Sequence, residues 1–241
     1  MTIAAAARNN AEWCDLMCHA HGVPGVFTDR AWTNPVRTPP FYPDAVTLAP
    51  GATVADVLGH IDTGSGASVK DSFATLDLPG FDVLFEARWI HRPAPEPGPA
   101  PAGVVWEVVD AATLPEWEQA GFGGEMKDLF RPALLTDEAK VLCGRTSGDS
   151  SGDSSGDSSG DSSGDSSGGD IVCGSVLNVT GQVVGVSNVY GSDLDAAWAG
   201  TLSMAAALFP GRPLVGYEVD PEPALRHGFT TIGPLRVWLK P

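Results

Sequence analysis

Apolar and polar positions alternate with two different periods along this chain, and from residue 104 onward the two periods follow one another in a regular order. Val104–Val109 reads as a strand. A helix follows from Ala112 to about Ala120, with Thr113 in the N-cap position. Residues 139–146 and 170–179 are rich in β-branched side chains and read as two further strands. A turn at Thr180-Gly181 leads into a third, Gln182–Tyr190. A helix then starts near Asp195, with Trp198, Leu202, Ala205 and Phe209 recurring on one face, and Pro210-Gly211 stops it. Pro213–Val219 has the composition of a buried strand. Glu222–His227 is a short helix closed by Gly228, and Leu235–Leu239 is the last strand. The resulting order is β-α-(β-β-β)-α-β-α-β, and its β-α-β portion demands one parallel strand pair.

Ahead of this, the pattern predicts a helix over Asn10–Ala20 ending at Gly22 and a second over Thr53–Ile61. Phe81, Val83, Phe85, Ala87 and Trp89 alternate with Asp82, Glu86 and Arg88, as in a half-buried strand. The expected fold class is α+β: a mixed sheet with flanking helices, preceded by an N-terminal α/β segment.

Composition divides the chain into residues 1–92, a Pro-rich linker over 93–103, and residues 104–241. Proline at every second position of the linker blocks helix and ladder alike, so it should be extended and semi-rigid. Within the last segment the unit Gly-Asp-Ser-Ser occurs five times in tandem from Gly148 to Ser167. It contains no apolar side chain to offset the roughly 1–2 kcal/mol per residue that ordering the backbone costs. Residues 148–169 are therefore expected to form a disordered insertion at the tip of a β-hairpin, where added length is tolerated.

Net charge is −16, of which five aspartates of the repeat contribute a part; the remaining −11 belongs to the rest of the chain. Such an acidic protein repels phosphate backbones and anionic lipid headgroups, which argues against nucleic-acid and membrane-surface partners. No apolar run approaches the about 18 residues needed to cross a bilayer. The start, MTIAAAARNNAEWCDLM, lacks a basic stretch before an apolar core and reads as an amphipathic helix rather than a signal peptide. Cytoplasmic location and free thiols at Cys14, Cys18, Cys143 and Cys173 follow as expectations.

The segment order, with Val186-Ser187-Asn188-Val189 before an Ala-rich helix and with Val215-Gly216-Tyr217-Glu218, Ala224-Leu225-Arg226-His227-Gly228-Phe229 and Gly233-Pro234-Leu235-Arg236-Val237-Trp238 at the end, resembles the GCN5-related N-acetyltransferase (GNAT) superfamily over about residues 104–241. The first 92 residues carry no such resemblance; a degenerate second copy and an accessory cap are both open for them. The resemblance implies that Gln182–Tyr190 and Pro213–Val219 run parallel and splay apart. The pantetheine arm of acetyl-CoA or another acyl-CoA would lie between them, against Val186, Ser187, Asn188 and Val189. It implies a pyrophosphate site at the start of the next helix, where free N–H groups favour anions; only Gly191 and Gly200 offer close backbone approach there. The chain departs from the family at this loop, where Asp193 and Asp195 stand and no Lys or Arg occurs between Arg145 and Arg212. It departs again at Ala224, in the place of the family's usual general-acid tyrosine.

Glu218 is the candidate base, against the alternative of a solvated strand-end carboxylate. Tyr190 and Tyr217 are candidate acids for the leaving thiolate, against core or rim aromatics. Ser187 and Asn188 are candidates for holding the thioester carbonyl. Cys14, Cys18, His19 and His21 have the types of zinc ligands, but His19 lies on another helix face, and an apolar face with C-terminal histidines explains them more simply. Gly164-Asp165-Ser166-Ser167-Gly168-Gly169 is superficially like a serine-protease loop, and the repeat accounts for it. Three functions follow: an N-acyltransferase acting on a small-molecule or amino-terminal amine, a catalytically degenerate GNAT-fold binding or regulatory module, and an unrelated α+β binding protein.

Overall fold

A computed structural model describes residues 1–98, 102–124, 126–147 and 169–241. The Gly-Asp-Ser-Ser repeat and the middle of the Pro-rich linker lie outside these residues. The elements in chain order are α1 (Ile3–Ala20), β1 (Val26–Phe27), β2 (Ala31–Thr33), β3 (Ala45–Thr47), α2 (Val54–Leu58), β4 (Ser68–Asp71), β5 (Asp82–Arg92), β6 (Val104–Val108) and α3 (Leu114–Phe122). There follow β7 (Ala139–Thr146), β8 (Ile171–Thr180), β9 (Val183–Gly191), α4 (Leu194–Leu208), β10 (Leu214–Glu218), α5 (Glu222–Arg226) and β11 (Thr230–Leu239). From residue 104 onward this is the order expected from the pattern, and the fold is α+β with a mixed sheet.

Differences at element ends have local causes. Helix α1 begins at Ile3 rather than near Asn10, because Thr2 Oγ1 accepts from the Ala5 N–H and the alanine run that follows has the best helix propensity. Helix α2 is short, opened by a reciprocal Thr53–Asp56 capping box and ended at Gly59. At α3, Thr113 makes no side-chain cap; the Asp110 carboxylate instead accepts from the Ala112 and Thr113 N–H groups at 3.0 and 2.8 Å. Strand β11 starts at Thr230, five residues before the expected Leu235, because its first residues already pair with β5, from Thr230↔His91 onward; β4 joins its other edge only from Arg236.

The eleven strands of the described residues form one sheet in the order β1-β2-β3-β4-β11-β5-β10-β9-β8-β7-β6. Strands β7 and β8 are antiparallel neighbours, with Thr146 N–H donating to the Asp170 carbonyl. Strand β5, from the segment set apart by composition, lies between β10 and β11, and β11 lies between β5 and β4. The β3-α2-β4 unit has the same layout as β9-α4-β10. In each, the parallel strands share two register pairs: Ala45↔Val69 and Val46↔Lys70 in the first, Leu214↔Val184 and Val215↔Gly185 in the second. The halves thus exchange their final strands across a shared sheet.

Helices cover the C-terminal half of the sheet on both faces. Trp13 and Met17 of α1 and Trp117 of α3 pack with Val141 and Val176 on one face. Trp198 and Leu202 of α4 and Ala224 of α5 pack with Leu177, Val186, Leu214 and Phe229 on the other. Each large side chain so buried contributes about 1.5–3 kcal/mol. Trp89, Val215 and Leu235 join Ala6 and Ala7 of α1 in a third cluster, which seats α1 over the middle of the sheet. No helix among the described residues is long and apolar enough to cross a membrane.

Candidate active site between β9 and β10

The parallel pairing of β9 with β10 stops at Val215↔Gly185, while β10 continues to Glu218 on the edge of β5. The cause lies in β9. Its register with β8 passes from Val176↔Ser187 to Gly174↔Tyr190, so Asn188 and Val189 face the single residue Ser175. This is a bulge, and it turns the strand away from its neighbour. Asn188 sits at φ +52°, in the left-handed region that asparagine tolerates better than most residues. At the fork, a Cβ on Gly216 would lie 2.7 Å from the Val186 carbonyl oxygen, so the approach of the two strands requires glycine.

Beyond the fork is a cavity of about 280 Å³. Val186–Val189 line one wall and Tyr217 and Glu218 the other, with Asn10, Trp13 and Cys14 of α1 and Lys70 of β4 closing the end. Strand alternation sends Tyr217 to the α1 face and Glu218 to the α4/α5 face, so they border the gap from opposite sides. Tyr217 packs edge-on against Trp89 with ring centroids 5.7 Å apart. Its hydroxyl accepts from Lys70 Nζ at 3.2 Å, and the same ammonium donates to Asn10 Oδ1 at 2.7 Å. Among the described residues Glu218 has no such partner. Burial, and secondarily the charge of Asp220, push its carboxyl up to about 7. It also lines a smaller space of about 270 Å³ that reaches Leu194 at the start of α4.

The start of α4 is occupied by the chain's own acids. Asp193 caps it, accepting from the Ala196 N–H at 3.0 Å. Asp195 accepts from Arg226 Nε at 3.1 Å and contacts His227 Nε2 at 3.0 Å, and these partners hold its carboxyl below the usual range.

Of the residues singled out in the sequence, the structure brings together Val186, Ser187, Asn188, Val189, Tyr217 and Glu218. Tyr190 is elsewhere: its hydroxyl donates to the Trp117 carbonyl at 3.2 Å, its ring packs edge-on against Trp117, and burial pushes its pKa up. It is a half-buried aromatic packed against the core on the α3 side. Gly191 pairs with Cys173 in the ladder, where a Cβ would meet the Cys173 Cβ at 2.8 Å. Gly200 lies buried within α4, and a Cβ there would come within 1.9 Å of the Trp106 ring. Both glycines serve packing here, rather than approach to a phosphate. Cys14 and Cys18 are buried on α1, and no cluster of three or more His, Cys, Asp or Glu side chains suited to a metal occurs among the described residues.

Sequence reasoning missed Lys70, Asn10 and the Phe41–Pro43 loop, all from the N-terminal segment. Their one signal was a lysine in the short alternating run Ser68-Val69-Lys70-Asp71, which nothing local connects with residues 147 positions away.

A mixed sheet whose central parallel strands part at a bulge, with a helix start facing the gap, defines the fold of the GCN5-related N-acetyltransferases, and this chain has that fold. A GCN5-related N-acetyltransferase from Kribbella flavida superposes with a TM-score of 0.58 at 14% identity, over 98% of this chain and 95% of that one. A GNAT-family structure from Novosphingobium aromaticivorans gives 0.55 at 13% identity, over 98% and 99%. A functionally unknown conserved protein from Staphylococcus epidermidis gives 0.52 at 10% identity, over 74% and 73%. The first two likenesses include the N-terminal segment. No protein-family model matches the sequence, and no curated protein matches it.

Proposed function

We propose that this chain transfers an acyl group from a coenzyme A thioester, with acetyl-CoA the simplest donor, to a primary amine at the fork of β9 and β10. The observation that carries the reading is the fork itself. A bulge frees Val186–Val189 from β10, Gly216 permits the approach, and a carboxyl pushed up to about 7 borders the gap.

The donor supplies a carbonyl activated by a thiolate leaving group. Ser187 and Asn188 hold its oxygen. Glu218 removes a proton from the acceptor ammonium, a task suited to a base that titrates near neutrality. The amine nitrogen bonds to the carbonyl carbon and the carbon–sulfur bond breaks. Tyr217, its hydroxyl polarised by Lys70, gives its proton to the departing sulfur, and the second proton that the nitrogen sheds on becoming an amide restores the tyrosine.

The fit to the donor differs between its two ends. The gap suits the thioester arm. The diphosphate end would meet the carboxylate of Asp193 at a helix start already capped by it, so donor affinity should be weak. Ala224 in place of the family's tyrosine and the acid at α4 favour a second reading, a GNAT-fold binding module without catalysis.

Calorimetric titration with acetyl-CoA and an assay of thiol release over a panel of amines separate the two. Binding in the micromolar to submillimolar range, with turnover that Glu218→Gln lowers at least tenfold, supports the transferase. Absence of binding at millimolar acetyl-CoA overturns it. The net charge of −16 suits a cationic acceptor.

A further inference from the structure

The reaction gap has a second chamber beside it. A cavity of about 740 Å³ shares Phe41, Tyr42, Pro43, Lys70 and Tyr217 with it, and the rest of its wall is largely apolar, from Pro39 and Pro40 to Leu84, Phe85, Val237 and Leu239. That volume lies within the range of about 300–1,000 Å³ typical of small-molecule sites.

Two cations face this chamber, and their situations differ. Arg37 is committed: it forms ion pairs with Asp44, which is buried, and with Asp62 at 3.6 Å. Lys70 is only 4% exposed, yet among the described residues its ammonium meets no carboxylate. Its two hydrogen bonds go to neutral oxygens, those of Asn10 and Tyr217, and its remaining contact is the face of the Tyr217 ring, 4.3 Å from the ring centroid, so no formal negative charge meets it. Burying an ammonium without a counter-charge is costly, and folded proteins rarely leave one so unless an anion joins it. The wall shared by the two cavities is where that anion would sit.

We infer that the acceptor is a free amino acid with a bulky apolar side chain, its carboxylate on Lys70, its side chain in the larger chamber and its amine in the gap. An α-amino acid carries amine and carboxylate on one carbon, which matches a cation standing at the border of the two spaces. A peptide amino terminus has an amide at that place and satisfies Lys70 poorly. The word acceptor rests on the transferase reading; the carboxylate site does not.

The test titrates the full chain with phenylalanine, phenylalaninamide and phenethylamine by calorimetry, without donor, and repeats the set on Lys70→Met and Lys70→Gln. All three probes carry the amino group and the ring, and at mildly acidic pH, where each is an ammonium, they differ only at the carboxylate. Phenylalanine should bind at least tenfold more tightly than the other two, and either variant should erase that advantage while leaving the other two nearly unchanged. A lysine with a purely structural role would weaken all three alike, which overturns the inference. Equal binding of the three probes by the wild-type chain, or no binding of phenylalanine, overturns it without any variant, so poor folding of Lys70→Met does not shield it. A separate acetyl-CoA titration judges the transferase. Loss of that reading with the phenylalanine preference intact leaves a carboxylate-binding site standing.

Discussion

Glu218 gives a measurable link between the site and stability. Its carboxyl is held near 7 in the folded chain, against 4.5 for an ordinary glutamate. Between these values the folded state binds a proton that the unfolded chain has already released. Stability from this group is therefore full below about pH 4.5 and is lost as pH rises through about 7. At about 1.4 kcal/mol per pH unit the loss comes to about 3.5 kcal/mol, an upper figure because the side chain keeps some contact with water. Glu218→Gln keeps the shape and removes the titration. Urea unfolding of both proteins at intervals from pH 4.5 to 8.5 should show equal stability at the acid end. The variant should be about 2–3 kcal/mol more stable at the alkaline end. Comparing the two proteins cancels the histidines and other groups that titrate in the same window. A difference that stays flat across this range would refute the claim that Glu218 is desolvated in the gap, and with it the argument for a base poised near neutrality. If the transferase reading holds, activity should rise through about pH 7 in the wild type, where the carboxylate becomes available.

Other consequences are checkable in the same way. Asp193→Ser keeps a capping hydroxyl for the Ala196 N–H and removes the negative charge at the start of α4. Acetyl-CoA affinity measured by calorimetry should increase severalfold with little change in melting temperature. Gly200→Ala drives a methyl into the Trp106 ring. It should cost about 1–3 kcal/mol in chemical denaturation and leave donor affinity unaltered, whereas a phosphate-loop glycine would lose affinity. Gly216→Ala places a Cβ 2.7 Å from a backbone oxygen at the fork, which cannot rotate away; a loss of stability of similar size and weaker thioester binding are expected. Deleting residues 148–167 shortens the connection between strand ends that Thr146 and Asp170 already join. The expected effect is about 1 kcal/mol or less, read as a shift of a few degrees in thermal unfolding.

The C-terminal architecture was legible because each of its elements declares itself locally: a helical face at Trp198 and Leu202, a turn glycine at 181, a cap glycine at 228. The gap was legible only through its resemblance, since a bulge at Asn188 leaves no mark in the alternation of side chains. Tyr190 is a candidate acid by residue type and Gly200 a loop glycine by resemblance, and neither property fixes where the side chain or backbone lies in space. The bulge and the helix turn carry them instead toward Trp117 and Trp106. The contribution of residues 1–92 was not legible for a different reason. Strands β1 to β4 have two to four residues each, too few for a period to emerge. Their places in the sheet are settled by pairing with partners far along the chain, as β4 pairs with β11.

That exchange of terminal strands has a consequence for how the molecule comes into being. While the chain is being synthesised, β5 waits with both edges bare until β10 and β11 have been made, and β4 waits on one side for β11. Pairings of such long sequence separation form late, and open edges invite pairing with other chains in the meantime. A nascent chain halted anywhere short of Thr230 therefore presents an unfinished seam at the middle of its sheet, and neither half can mature ahead of the other.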